Sequence, residues 1–134
     1  MANWKMAMTV SESLAFVQEF RTAVGNLAQS VEIVICPPYT ALYALSQALA
    51  HSPIDLGAQN LFASPGPSHT GEISALLLAD AGCKWVMLGH WEIRRRTGET
   101  DAGCNRKMHA AFHAGLRPIL LEPLSKTCSV LNQL

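Results

Sequence analysis

Long apolar runs are missing from this 134-residue chain, and so is an excess of either charge. No stretch nears the ~20 consecutive apolar residues that a membrane-spanning helix needs, so no membrane partner is expected. The opening MANWKM is too short and too polar for a secretory leader. Ten Lys and Arg balance ten Asp and Glu, and the pI is near 6.9. Without a basic face the chain lacks the electrostatic footprint of a nucleic-acid binder. The only basic run, Arg94 to Arg96, is flanked by Glu92, Glu99 and Asp101 and reads as a salt-bridged helix start. CxxC pairs are absent. Cys36, Cys83, Cys104 and Cys128 therefore read as reduced thiols of a cytoplasmic protein. No Walker A motif or dinucleotide fingerprint occurs, so no cofactor is expected. His109 and His113 have the spacing of a metal pair, but no glutamate lies between them and no third ligand is evident, so no metal is expected.

What is present is a core. Hydrophobic residues make up 49% of the chain and charged residues 15%, which excludes a disordered tail. The length suits a single domain over 1–134. Strands are expected at 2–6, 31–36, 54–59, 85–89 and 118–121, where β-branched and apolar residues cluster without polar alternation. Helical spacing separates them. Thr9 and Glu12 form a capping box ahead of Leu14, Val17, Phe20, Val24 and Leu27 on one face. Further helices are expected over 40–50, through Ile73, Leu76, Leu77 and Asp80, over 101–114 and over 126–134. Gly82 and Gly115 stand just past two of them. Strands that alternate with helices call for a parallel sheet covered on both faces.

In such folds chemistry gathers at the carboxyl ends of the strands. Asn3 and Lys5 end the first strand, Gln59 and Asn60 the third, His90 and Glu92 the fourth, and Glu122 the fifth. A cation, an imidazole, carboxylates and amides at one rim suit a small, anionic, oxygen-rich ligand. Loop 61–71, rich in Pro, Gly and Ser, is long enough to be functional.

These motifs resemble a known family. ANWKM (2–6), GAQN (57–60), HTGEIS (69–74), LGHWE (88–92), TGETD (97–101) and GLRPIL (115–120) are similar, in the same order, to triosephosphate isomerase. The resemblance implies a (β/α)8 barrel that interconverts dihydroxyacetone phosphate and glyceraldehyde 3-phosphate without a cofactor. It implies that Asn3 and Lys5 bind a small phosphorylated triose, with the Lys5 ammonium offsetting phosphate and enolate charge. His90 would polarise the carbonyl as a neutral imidazole with a helix N-terminus behind it, an arrangement for which this family is itself a standard example. Glu92 and Glu99 would be supporting carboxylates. Loop 61–71, with Thr70 at its tip and Gly71 and Glu72 following, would reach into a neighbouring subunit and make a homodimer.

A complete barrel of this kind needs about 250 residues. The 134 residues therefore answer to an incomplete barrel, about (β/α)5, with parallel strands and outer helices. An AYEPVW-like strand bearing the family's glutamate base is not found among them, nor are its lid and phosphate-binding glycine loops. Trp91 stands where the family has serine, Ile93 replaces an arginine of its ion-pair network, and Glu122-Pro123 replaces a CVGE-like turn. Since proton abstraction from carbon needs a base within reach, the 134 residues by themselves are expected to isomerise very weakly or not at all. The alternative is a non-catalytic barrel remnant, an oligomeric scaffold or a weak binder of phosphorylated ligands.

Overall fold

The computed structural model describes residues 1–25, 30–64 and 66–121. Leu27, Glu122, Cys128 and the helix expected over 126–134 lie outside the described residues. Five strands make one parallel sheet in the order of the sequence: β1 (Ala2–Asn3), β2 (Ile33–Cys36), β3 (Ile54–Ala58), β4 (Trp85–Leu88) and β5 (Arg117–Leu120). The order never reverses, so the sheet winds in one direction. That is the barrel arrangement, whereas a doubly wound sheet has a switch point. The connecting helices are α1 (Val10–Val24), α2 (Leu42–Ala48, after a 3-10 turn at Tyr39–Ala41), α3 (Ala75–Asp80), α4 (Trp91–Thr97) and α5 (Asp101–His113). No helix among the described residues is long and apolar enough to cross a membrane.

Each strand divides its side chains between two faces. Ile35, Leu56, Val86 and Leu88 pack with the helix residues Val17, Leu45, Leu78 and Met108. Val34, Cys36 and Met87 form a second cluster on the face turned away from the helices, joined by Trp85 and Leu121. Burial on both sides explains why the strands read as continuous apolar runs. Gly57 belongs to the second face, where a Cβ would come within 2.7 Å of Cys36 Sγ.

The capping box of α1 is present as the spacing predicts: Glu12 N–H donates to Thr9 Oγ1 at 3.3 Å, and Thr9 N–H to Glu12 Oε2 at 2.7 Å. Its inward face differs in part. Val17 is buried, Phe20 is partly so, and Ser13 is buried with its hydroxyl on Thr9 O, while Leu14 remains partly exposed. Helix α3 is rotated from the expected face. Ala75 and Leu78 pack inward, and Leu76 and Leu77 are exposed. Three consecutive leucines, Leu76 to Leu78, allow either of two helical stripes, and packing chose the one through Leu78. The first strand is also shorter than expected. It ends at Asn3 because Lys5 takes a left-handed backbone, φ +54°.

At the amino-terminal ends of the strands, polar contacts tie β3, β4 and β5 together. Asp55 accepts from Lys84 Nζ at 2.7 Å and from Trp85 Nε1 at 2.9 Å, and the Arg117 guanidinium lies 3.7 Å over the Trp85 ring. Burial alone would push the Asp55 carboxyl up. The Lys84 and Trp85 hydrogen bonds, with the charges of Lys84 and Arg117, outweigh it and hold the group below the usual carboxylate range. A depressed carboxyl stabilises the fold above its unfolded pKa, and that contribution disappears as pH falls through the folded one. Thermal midpoints measured from pH 7 down to pH 3 are therefore expected to fall less steeply in Asp55→Asn than in the parent. Parallel slopes would remove Asp55 from the acid response.

Candidate active site

The carboxyl ends of β1, β3 and β4 converge on one rim, and the turn geometry there is specific. After Asn3 the chain turns at Lys5. Lys5 N–H donates to Asn3 Oδ1 at 2.9 Å, and Lys5 O accepts from Gln59 Nε2 at 2.8 Å. The same Gln59 nitrogen donates to Cys36 O at 2.9 Å. Lys5 Nζ ends 2.7 Å from Glu92 Oε1.

Histidine 90 follows β4 through Gly89, whose φ is +73° and whose Cβ, if present, would fall 2.9 Å from Leu121 O. This close approach is why glycine precedes the histidine. His90 is the N-cap of α4. Its Nδ1 accepts the Glu92 N–H at 3.2 Å. Nδ1 lies 3.7 Å from Glu92 Oε2, too far for a hydrogen bond, so the amide is its partner rather than the carboxylate. A ring that accepts at Nδ1 presents Nε2–H as its donor. Trp91 fits beside His90 by lying outward. Its ring is roughly parallel to the imidazole, 6.1 Å away at 27°, and the residue is 53% exposed.

The Lys5 hydrogen bond holds the Glu92 carboxyl below the usual range. Burial opposes it slightly, and the Lys5 charge adds to it. Asn3, Lys5, Gln59, His90 and Glu92 line one cavity of about 320 Å³. Tyr39, Asn60, Gly71, Glu72, Ile93 and Arg96 complete its wall. Tyr39 donates its hydroxyl to Asn60 O at 2.8 Å. Burial first and the Glu72 charge second push its phenol up to about 12, so it stays a neutral donor.

Glu99 stands apart from this cavity. It pairs with Lys107, accepts the Cys104 thiol at 3.1 Å, and lines a neighbouring hollow of about 440 Å³. Lys107 also donates to Asn60 Oδ1 at 2.9 Å, and Asn60 lines both spaces. Glu99 is thus linked to the first cavity through Lys107 and Asn60.

Loop 61–71 is closed at its base by Phe62 N–H on Ile73 O at 2.9 Å. Within it His69 packs on Phe62 and meets Ser64 Oγ at 2.5 Å. Thr70, Gly71 and Glu72 are exposed, and Gly71 and Glu72 also reach the wall of the Lys5 cavity. His113 Nδ1 is turned to His109 O at 2.7 Å, and among the described residues no group of three His, Cys, Asp or Glu could hold a metal.

The sequence reading did not include Tyr39 or Arg96 in this site. Tyr39 was discoverable, because it follows the Pro37-Pro38 stop and so stands just beyond the carboxyl end of β2. Arg96 was hidden inside the arginine run. Arg94 behaves as that run suggests, donating to Asp101 at 2.7 Å and to Gly89 O at 3.0 Å, whereas Arg96 faces the cavities.

Comparison with known proteins agrees with this fold. A family model described as triosephosphate isomerase matches residues 1–122. The chain is 45% identical over 124 residues to a triosephosphate isomerase of Chloroflexus aurantiacus, covering 92% of this chain and 49% of the relative. It is 47% identical over 118 residues to one of Pelobacter propionicus, covering 88% and 47%. The crystal structure of triosephosphate isomerase from Bartonella henselae superposes with a TM-score of 0.78 at 36% identity, over 89% of this chain and 48% of that one. The chain thus spans about half the length of the curated relatives it matches. With its sheet order and these matches together, the chain belongs to the triosephosphate isomerase family.

Proposed function

We propose that the cavity at Lys5 and His90 binds a small phosphorylated α-hydroxy carbonyl compound, a triose phosphate, and polarises its carbonyl. The observation that carries this reading is the shared contact with Glu92. One carboxylate holds the Lys5 ammonium, and the amide of the same residue fixes His90 Nδ1. An ammonium and an imidazole Nε2–H therefore face one small polar space.

The chemistry follows from charge. Removing a proton from the carbon beside a carbonyl places negative charge on the oxygen, and donors positioned before the reaction stabilise it most. Lys5 supplies a full charge and His90 a neutral donor. Asn3 keeps its amide N–H groups for the ligand, since its Oδ1 is already committed to Lys5 N–H. The step is completed only if a base takes the proton. Of the two carboxylates lining the cavity among the described residues, Glu92 is bound to Lys5, and Glu72 stands on an exposed loop.

A polypeptide of these 134 residues is therefore a binder first and a poor isomerase at most. Acting as a pure scaffold is the competing reading. Interconversion of dihydroxyacetone phosphate and glyceraldehyde 3-phosphate in the cytoplasm is the family activity to which the site contributes. The same reading makes the chain a homodimer subunit, with Thr70 at the tip of loop 61–71 presented to a second copy.

Calorimetric titration with 2-phosphoglycolate, which mimics a phosphorylated enediolate, tests the reading. Saturable one-to-one binding is expected, together with a kcat at least a hundredfold below the ~10 s⁻¹ typical of enzymes. Absence of binding would leave only the scaffold. A kcat near the ordinary value would show that a base is present.

A further inference from the structure

We propose that Gln59 is the positioning residue of Lys5: its single amide nitrogen holds the left-handed turn that delivers the ammonium to the cavity. The inference rests on the proposed reading of Lys5 as a ligand-binding group and adds to it the device that sets the lysine in place.

Lys5 has φ +54°, a conformation that residues other than glycine rarely adopt. Such strain persists only where surrounding contacts over-determine the backbone. The contacts here are specific. Lys5 N–H is taken by Asn3 Oδ1 at the end of β1, and Trp4 N–H by Cys36 O, so the entry to the turn is tied to the sheet while Lys5 O still needs a donor. Gln59 supplies it. It follows β3, and its Nε2 donates one proton to Lys5 O at 2.8 Å and the other to Cys36 O at the end of β2 at 2.9 Å. Cys36 O already accepts Trp4 N–H at 3.0 Å and does not need Gln59 for its own satisfaction. The fork therefore serves the turn. With both backbone groups of Lys5 fixed, only the side chain is left to place, and Glu92 fixes its tip at 2.7 Å.

Gln59→Met tests this with little risk to folding. The side chain keeps its length, both donors are lost, and the one carbonyl left without its bond, Lys5 O, belongs to an exposed residue that water can reach. Two readouts separate the clamp from the ligand reading. In the free protein, Lys5 Cα and Cβ shifts are expected to leave left-handed values, and its amide is expected to exchange at least ~10-fold faster. The Val86 and Leu88 amides stay protected. In calorimetry, 2-phosphoglycolate is expected to bind at least ~10-fold more weakly than to the parent, with the thermal midpoint changed by less than about 4 °C. Unchanged Lys5 shifts, or affinity within twofold of the parent, overturn the proposal. A parent protein that does not bind the compound overturns the functional reading instead, and the Lys5 shifts and exchange then decide the clamp by themselves.

Discussion

Replacing Lys107 with alanine is expected to cost about 3–5 kcal/mol of folding free energy, because it leaves a buried carboxylate without its cation. The Glu99 side chain is 6% exposed and that of Lys107 is 12%. Removing the ammonium leaves Glu99, among the described residues, with the Cys104 thiol, a weak donor, as its hydrogen-bond partner and with only the more distant Arg94 charge to offset its own. Asn60 Oδ1, on the wall between the two cavities, also loses its Lys107 donor. Domains of this size have about 5–15 kcal/mol in total, so the variant should lose between about a fifth and all of its stability. A pair replaced as a unit, Glu99→Leu with Lys107→Met, should recover much of the loss, because the penalty belongs to the orphaned charge rather than to the missing attraction. Urea midpoints of the parent, the single variant and the double variant measure both effects. A single-variant loss below about 1 kcal/mol would mean that water reaches Glu99.

The second large effect concerns binding. Lys5→Ala is expected to weaken 2-phosphoglycolate about 100-fold, or about 2.7 kcal/mol. Two causes add. A charge-assisted hydrogen bond to the ligand contributes about 1.5–3 kcal/mol. The Glu92 carboxylate, no longer neutralised, then faces an anion. The Lys5 hydrogen bond is the largest influence holding the Glu92 carboxyl down, so its removal returns the group towards the ordinary range. Binding to the variant should therefore recover in part as pH falls and Glu92 is protonated, and Lys5→Ala/Glu92→Gln should bind better than Lys5→Ala at neutral pH. If the double variant binds no better, Glu92 lies too far from the ligand to repel it.

Much of the fold was legible because its signals are local. The Thr9–Glu12 box, the β-branched run at β2 and the glycines after α3 and α5 each declare an element within a few residues. Misread features depended on distant contacts. Nothing near Lys5 indicates a left-handed backbone, because Gln59, more than fifty residues on, sustains it. The inward face of α3 was decided by packing, which buried Ala75 and Leu78 and left Leu76 and Leu77 exposed. In the site, His90, Lys5 and Glu92 were found by their positions after strands, and the structure brings all three to one cavity. Glu99, expected as a supporting carboxylate, pairs with Lys107 in the adjacent hollow. Arg96 was obscured because three successive arginines look alike in sequence, and only the turn of α4 distinguishes the one bound to Asp101 from the one facing the cavities.

One titration tests the shared site most directly. With ¹⁵N-labelled protein, the Lys5 Nζ and His90 ring nitrogens can be followed together as 2-phosphoglycolate is added. Both are expected to shift along one binding curve, with His90 Nδ1 remaining an unprotonated acceptor and Nε2–H taking the ligand. A ligand that saturates while either side chain stays unperturbed, or two curves with different midpoints, would contradict a common site.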